Sequence, residues 1–343
     1  MLFFTRRSFN QLCFAAGSTL GFASAGCTRA PSASTGDSWK TFVDVVATVA
    51  MVGDLVKRVG GDGIRVRTLM DSGVDPHLYK PIRDDFRLLQ SADVILSVGL
   101  MLEGRLRESL GRLAGSRRVL ALGETLPADR LLSGEEDGGA AEGSHPDPHI
   151  WMDVDLWSQI LPVIAGLLGD RRPDQRSEFQ QRAEIVSREL HALHQYGREA
   201  IGSIPEASRV LVTSHDAFRY FGRAYGLQVL GVQGLSTESE AGLLRVNQLV
   251  DLLVARKVAA VFVETSVPRK SIEALIEGAA ARGHRVRIGG SLYSDAMGAA
   301  GTWEGTYVGM LDHNLTIVAR ALGGKVPERG FSGRLSLSSG EEL

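Results

Sequence analysis

At 343 residues the chain exceeds the roughly 250–300 residues at which a single hydrophobic core stops growing, so two folded domains are expected. Its 44% hydrophobic and 23% charged residues are those of a globular protein and exclude a disordered chain. A formal charge of -2 without a basic stripe excludes a nucleic-acid surface, and with cysteines only at Cys13 and Cys27 the folded body has neither thiol nor disulfide, which leaves its chemistry to nitrogen and oxygen.

The first 26 residues read as an export signal: Arg6 and Arg7 precede a mildly apolar stretch over 12–25. The arginine pair resembles a twin-arginine signal, but Asn10 and Gln11 stand where that motif continues with Leu and Lys, so both the twin-arginine and the general secretory routes remain open. Ser24, Ala25, Gly26 and Cys27 resemble a lipobox with Ser24 in the usual Leu position, which makes Cys27 the candidate lipidation site; an ordinary signal with an incidental Cys is the alternative. Residues 27–38 are small and polar, with Pro31 and Gly36, and suit a flexible tether. No later segment offers eighteen uninterrupted apolar residues, so no membrane span is expected beyond the signal.

From Thr41 on, strand and helix patterns alternate, which predicts parallel sheets covered by helices on both faces. Strands are expected over 43–49, 64–69, 94–98 and 117–122, with a helix through Leu55 and Val59 that stops at Gly60 and Gly61, and helical spacing over 81–92 and 103–113. Between Leu126 and Pro148 the pattern gives way to Gly, Ala and acidic residues, which reads as a mobile, solvated loop with His145 as its single histidine. Residues 173–204 form the longest stretch without breakers other than Gly197, with Phe179, Ala183, Val186, Leu190, Leu193 and Ala200 near a 3.6-residue period: one long helix. Strands follow over 210–213, 228–232, 259–264 and 285–288, and helices over 218–225, 243–257, 269–282 and 303–322. The expected domains are therefore an N-terminal α/β lobe over 39–172, a linking helix over 173–204, a C-terminal α/β lobe over 205–330 and a tail over 331–343.

The eight histidines divide by position. His191 and His194 sit among charged residues of the long helix and are expected to face water, His284 opens a strand, and His313 lies on the last helix; all four read as structural. His77, His149 and His215 differ, each standing near the end of a strand or loop that leads into a helix, where ligands bind in open α/β sheets. Asp295, beyond the strand ending at Ile288 and a connector from Gly289 to Ser294, is a fourth candidate. Three imidazoles and a carboxylate converging between two lobes would suit a borderline divalent metal ion.

Three motifs stand out: Asp75, Pro76, His77, Tyr79 and Pro81; Asp147, Pro148, His149, Ile150, Trp151 and Asp153; and Ser214, His215, Asp216, Ala217, Phe218, Tyr220 and Phe221. On these the chain, from about Thr41 to Gly324, resembles the TroA-like family, the metal-binding substrate-binding lipoproteins of ABC importers for zinc, manganese and iron. The runs Glu264 to Val267, Leu292 to Gly298 and Glu304 to Tyr307 extend the resemblance, while Lys80 departs from the acid common before the Pro of the first motif. It implies two lobes, each a parallel sheet flanked by helices, bridged by one long helix, with His77 and His149 from the first lobe and His215 and Asp295 from the second ligating the metal. It also implies an extracytoplasmic, lipid-anchored monomer that takes zinc or manganese, with iron open, and hands it to a permease and its ATPase rather than catalysing a reaction. Imidazole at position 215 favours zinc, whereas manganese-selective members commonly carry Glu there.

Asp75, Asp147 and Asp216 are candidates for orienting the imidazoles. Glu264 is expected to cap or pair locally with Arg269 or Lys270. The bridging helix implies small lobe or loop shifts on loading rather than wide hinge closure, and imidazole ligation implies affinity that falls as pH drops through about 6.5. A secreted zinc hydrolase and a surface adhesin with an incidental metal are the alternatives; against the first, four protein ligands would close a tetrahedral site, and no HExxH helix is present.

Overall fold

The computed structural model describes residues 42–115, 118–134 and 145–336. The export signal, Cys27, the tether, the acidic centre of the 126–148 loop and residues 337–343 lie outside these. Among the described residues no helix is long and apolar enough to cross a membrane.

The N-terminal half runs β1 (Val43–Val49), α1 (Ala50–Gly60), β2 (Ile64–Met70), α2 (Arg83–Ser91), β3 (Val94–Ser97), α3 (Arg107–Ala114) and β4 (Arg118–Ala121). Its strands form one parallel sheet in the order β2-β1-β3-β4, with Val43 opposite Ile64 and Val45 opposite Val94. Every residue of β1 is buried, as a near-continuous apolar run requires when helices cover both faces of a parallel sheet. Two short helices follow, α4 (Val154–Ser158) and α5 (Ile160–Arg171), in a region where the sequence pattern gave no element. The run from Ile160 to Leu168 contains Pro162 and Gly166 and shows no polar stripe, because the helix buries most of its surface.

The long helix is α6 (Arg176–Gly202), 27 residues or about 40 Å, entered through a 3-10 turn at Pro173–Gln175. It packs against α1, α4 and α5 on one side and the last helix on the other, so its buried stripe of Phe179, Val186, Leu190, Leu193 and Ile201 belongs to a core continuous through both lobes. Gly197 does not break it: a Cβ there would meet Tyr225 at 2.6 Å and Leu315 at 2.9 Å, so glycine lets the C-terminal lobe pack directly on the helix backbone.

The C-terminal half runs β5 (Val210–Thr213), α7 (Arg219–Tyr225), β6 (Gln228–Gly231), α8 (Leu243–Ala255), β7 (Ala260–Glu264), α9 (Lys270–Ala281), β8 (Arg287–Leu292) and α10 (Tyr307–Ala321). The strands pair in parallel as β5–β6 and β7–β8, with β5 beside β7 but no ladder between them, so this lobe has two short ladders where a single sheet was expected. β8 runs four residues past its expected end at Ile288. Gly289 and Gly290, which read as a break, lie inside the strand where Phe262 and Ile317 press within 2.8 Å and 2.4 Å of any added Cβ. A second apolar cluster, including Val212, Leu253, Val261 and Leu275, fills the space under α8 and α9. Residues 42–336 thus contain two α/β lobes joined by one long helix, with strand carboxyl ends facing the cleft between them.

Candidate metal centre

The tripeptide Asp-Pro-His occurs twice, and both copies fold into the same turn. Proline fixes its own φ, and the Asp carboxylate accepts the backbone N–H of the histidine two residues on: Asp75 from His77 at 2.8 Å and Asp147 from His149 at 2.9 Å. Asp147 accepts the His149 Nδ1 proton as well, at 2.8 Å, so its ring is fixed with Nε2 pointing inward. His215 follows β5 directly, and Glu264 ends the adjacent β7. One Glu264 oxygen accepts the His215 backbone N–H at 2.9 Å and the other pairs with Nδ1 at 2.5 Å.

The flank of β8 positions the fourth group. Asn314 of α10 accepts from the Tyr293 N–H and donates to the Tyr293 carbonyl, at 3.0 and 2.7 Å, while Trp151 Nε1 donates to the Ser294 carbonyl at 2.9 Å. Asp295 is thereby held with its carboxylate facing the three rings.

The result is a cluster of His77, His149, His215 and Asp295 whose nearest donor atoms all lie within 4.8 Å of one another. His77 Nε2 is 3.3 Å from His149 Nε2; Asp295 Oδ1 is 3.3 Å from His149 Nε2; Asp295 Oδ2 is 3.1 Å from His215 Nε2 and 4.0 Å from His77 Nε2. A tetrahedral ion with bonds of about 2.0–2.1 Å spaces its ligands by roughly 3.3–3.4 Å, close to most of these separations. Exposure is 7% for His77, 2% for Asp295 and nil for the other two. Both Asp295 oxygens and His215 Nε2 are buried without a hydrogen-bond partner, a costly arrangement that a cation at the centre of the cluster would relieve.

The electrostatics separate the two Asp-Pro-His turns. Burial drives the His77 imidazole down to about 3, with only partial compensation from Asp295. Burial would also lower His149, but its hydrogen bond to Asp147 and the nearby Asp295 carboxylate outweigh that and hold it at about 9. Burial opposes charge on His215 too, and there Glu264 and Asp295 prevail and raise it well above the ordinary value. Asp295, despite its burial, is held well below the ordinary carboxylate range by His215 and His149. The expected midpoint near 6.5 therefore applies to none of the three rings.

The four expected ligating side chains meet in one place; their supporting groups differ from expectation. Of the three candidate orienting carboxylates only Asp147 holds a ring nitrogen, while Asp75 holds backbone and Asp216 faces Arg219 at 3.7 Å. Glu264, expected to pair with Arg269 or Lys270, holds His215 instead, since β7 and β5 end side by side. His191 is exposed, but His194 is half-buried against Tyr225 with its Nδ1 unpartnered, so the expectation that it faces water fails. His284 and His313 bond the Val258 and Ser291 carbonyls. The flanks of the 126–148 loop are fixed rather than mobile: Ser133 bridges Pro146, and the Asp147 N–H donates to the Leu132 carbonyl at 2.9 Å.

Known proteins resemble this chain over most of its length. Residues 45–321 match the family described as zinc-uptake complex component A, periplasmic (ZnuA). The manganese-binding lipoprotein MntA of Bacillus subtilis is 43% identical over 301 residues, 88% of this chain and 96% of its own length. The zinc-binding protein TroA of Treponema pallidum is 45% identical over 278 residues, 81% of this chain and 88% of its own. Among solved structures, the periplasmic zinc-binding protein TroA from Treponema pallidum aligns over 82% of this chain and 99% of its own at a TM-score of 0.78 and 44% identity. Fe(III)-bound YtgA from Chlamydia trachomatis aligns over 83% and 100% at 0.74 and 27%.

Proposed function

This chain belongs to the family of the periplasmic zinc-uptake complex component A, and we propose that it captures a divalent transition metal outside the cytoplasm and delivers it to an ABC importer. The observation that carries this reading is the set of buried, unpartnered Asp295 oxygens and His215 Nε2 facing His77 and His149 Nε2 at the spacing of a tetrahedral ion. His77, His149, His215 and Asp295 are the proposed ligands. The metal is the cargo, and the chain's own work is to exclude water, orient the imidazoles through Asp147 and Glu264, and supply negative charge.

The proposed partners are a permease with its ATPase and, through Cys27, a membrane lipid anchor on a monomeric protein. The lobe limits 39–172 and 205–330, joined over 173–204, complete the reading. Relatives of similar identity are named for manganese in one case and zinc in the other, and the site suits both: three imidazoles favour zinc, while the Asp295 carboxylate also suits the harder manganese ion. Intrinsic affinity is expected to be higher for zinc.

Metal analysis of protein purified without added metal, together with uptake in a deletion strain complemented by wild type or by His215→Ala, tests the reading. Stoichiometric zinc or manganese and uptake that depends on His215 are expected. Metal-free protein that takes up neither ion on titration would overturn it. In competitive titration, His215→Glu is expected to shift the zinc-to-manganese ratio toward manganese.

A further inference from the structure

We propose that Thr237 and Asp75 are positioning residues that latch the two lobes over the metal centre and so set the rate at which metal leaves; this rests on the reading of His77 as a ligand. A cavity of about 410 Å³ opens beside the centre, with His77 on its wall, Leu100, Arg105 and Pro148 contributed by the N-terminal lobe, and Leu235 and Glu238 by the C-terminal lobe. His77 is the most exposed member of the cluster and lines this cavity, which on this reading is its route to solvent.

The segment 235–238 forms the C-terminal wall of that route. Up to Gly234 the chain after β6 stays paired with the chain after β5, through Gln233 N to the Ser214 carbonyl at 3.0 Å and Asp216 N to the Gly234 carbonyl at 3.2 Å. Beyond it the segment is closed on itself by Gln233 Nε2, which donates to the Ser239 carbonyl at 3.2 Å. It reaches the opposite lobe through two side chains. Thr237 Oγ1 donates to Asp75 Oδ2 at 2.5 Å, and Glu238 accepts from Arg105 Nη2 at 2.8 Å.

The first of these contacts connects to the metal. Asp75 Oδ1 accepts the His77 N–H, so one carboxylate fixes the backbone of a ligand with one oxygen and the opposite lobe with the other. In the second Asp-Pro-His turn the corresponding carboxylate serves its own ring. Opening the route therefore requires breaking a short, half-buried, charge-assisted hydrogen bond, and it frees His77 in the same movement.

The test loads full-length wild type, Thr237→Val and Thr237→Ser with zinc and follows release into excess chelator by stopped flow. Cobalt(II) absorption reports the ligand set, and melting of the metal-free proteins reports the fold. Thr237→Val keeps the shape but lacks the donor; it is expected to release zinc roughly tenfold faster or more, with an unchanged cobalt spectrum and a melting point lowered by no more than about 2–4 °C per kcal/mol of lost bond. Thr237→Ser is expected to restore the wild-type rate. Release from Thr237→Val at the wild-type rate, failure of Ser to rescue, or an altered cobalt spectrum would overturn the latch while leaving the metal site standing. Failure of wild type itself to hold zinc would overturn the site and the latch with it.

Discussion

The two Asp-Pro-His turns are identical in sequence and nearly so in backbone bonding, yet they differ as parts of a binding site. His149 itself is sealed from solvent: Asp147 holds the ring, Tyr220 of the other lobe donates to the Asp147 carbonyl at 3.0 Å and accepts from Leu132 N at 2.9 Å, and Arg219 and Arg223 reach the Ser133 and Arg130 carbonyls. Around His77 a cavity opens, and the Asp75 carboxylate is shared with a surface segment of the opposite lobe. One motif thus yields a fixed proposed ligand and an accessible one. What separates them is the neighbour supplied by the tertiary fold, and a site for cargo needs both: a rigid wall for selectivity and one side that can open.

Removing each ring gives the largest contrast. His149→Ala takes the imidazole from the buried Asp147, which keeps only the residue-149 N–H and Arg219 at 3.8 Å, so the metal-free protein is expected to lose about 1–3 kcal/mol of stability at pH 7. His77→Ala removes a neutral ring beside a cavity and is expected to lower stability by less than about 1 kcal/mol. Both should lose metal affinity by more than the ~10–100-fold typical of an outer-shell partner. Denaturant melts and chelator competition measure these; equal destabilisation by the two variants would dissolve the distinction.

The orienting carboxylates come next. Glu264→Gln and Asp147→Asn keep the shape but weaken acceptance of the Nδ1 proton, and each is expected to reduce zinc affinity by about 10–100-fold. Asp75→Asn meets no ring, so its equilibrium effect should be smaller than either and should lie mainly in the release rate. Isothermal titration of all three proteins separates these outcomes.

Protonation sharpens the comparison further. In the metal-free protein at pH 7 the raised His149 and His215 carry protons and the lowered His77 does not. A dication that displaces two protons leaves the charge of the three-imidazole, three-carboxylate cluster unchanged, so zinc binding at pH 7 should release about two protons. Buffer dependence of the calorimetric enthalpy counts them, and release of none would refute the assignment. Affinity should accordingly rise with pH through about 9, the value for His149, and level off only once His215, raised well above its ordinary value, has also lost its proton.

Stability without metal divides the two rings, running against affinity for His149 and with it for His77. The His149 contribution is fully present below its unfolded value near 6.5 and is lost as pH rises through about 9; that of His77 is present above 6.5 and is lost as pH falls toward about 3.

The difference between the turns could not have been read from the chain alone, although much around it could. The β1 run of buried valines, the 3.6-residue stripe of α6 and the four donors at strand ends follow from local pattern, and the structure brings the donors together. Glu264 was misassigned because its partner is 49 residues away, and Thr237 escaped notice because Asp75 is 162 residues distant. Periodicity reports which face is buried, not which side chain lies across a cleft. α5 was missed for the opposite reason: a helix buried on most sides has little amphipathic pattern to detect. In β8, Gly289 and Gly290 looked like a break because close packing against Phe262 and Ile317 leaves no mark in the sequence other than the glycines themselves.

The smallest expected effect concerns the second contact at the mouth. Arg105 and Glu238 pair at 2.8 Å, but with side-chain exposures of 42% and 50% they are well solvated, and such pairs contribute about 0–1 kcal/mol. Arg105→Ala should therefore speed zinc release by no more than about fivefold. Because the pair is exposed, that difference should shrink as salt is raised toward 1 M, where the screening length is only about 3 Å. The Thr237–Asp75 bond is shorter and half-buried, so the effect of Thr237→Val should persist in the same salt. Release rates of both variants at low and high salt place the closure on one contact or the other. If Arg105→Ala released zinc as fast as Thr237→Val, and salt erased both effects, closure would depend on charge attraction between the two lips, and the link from Asp75 to His77 would not be what distinguishes the accessible turn from the sealed one.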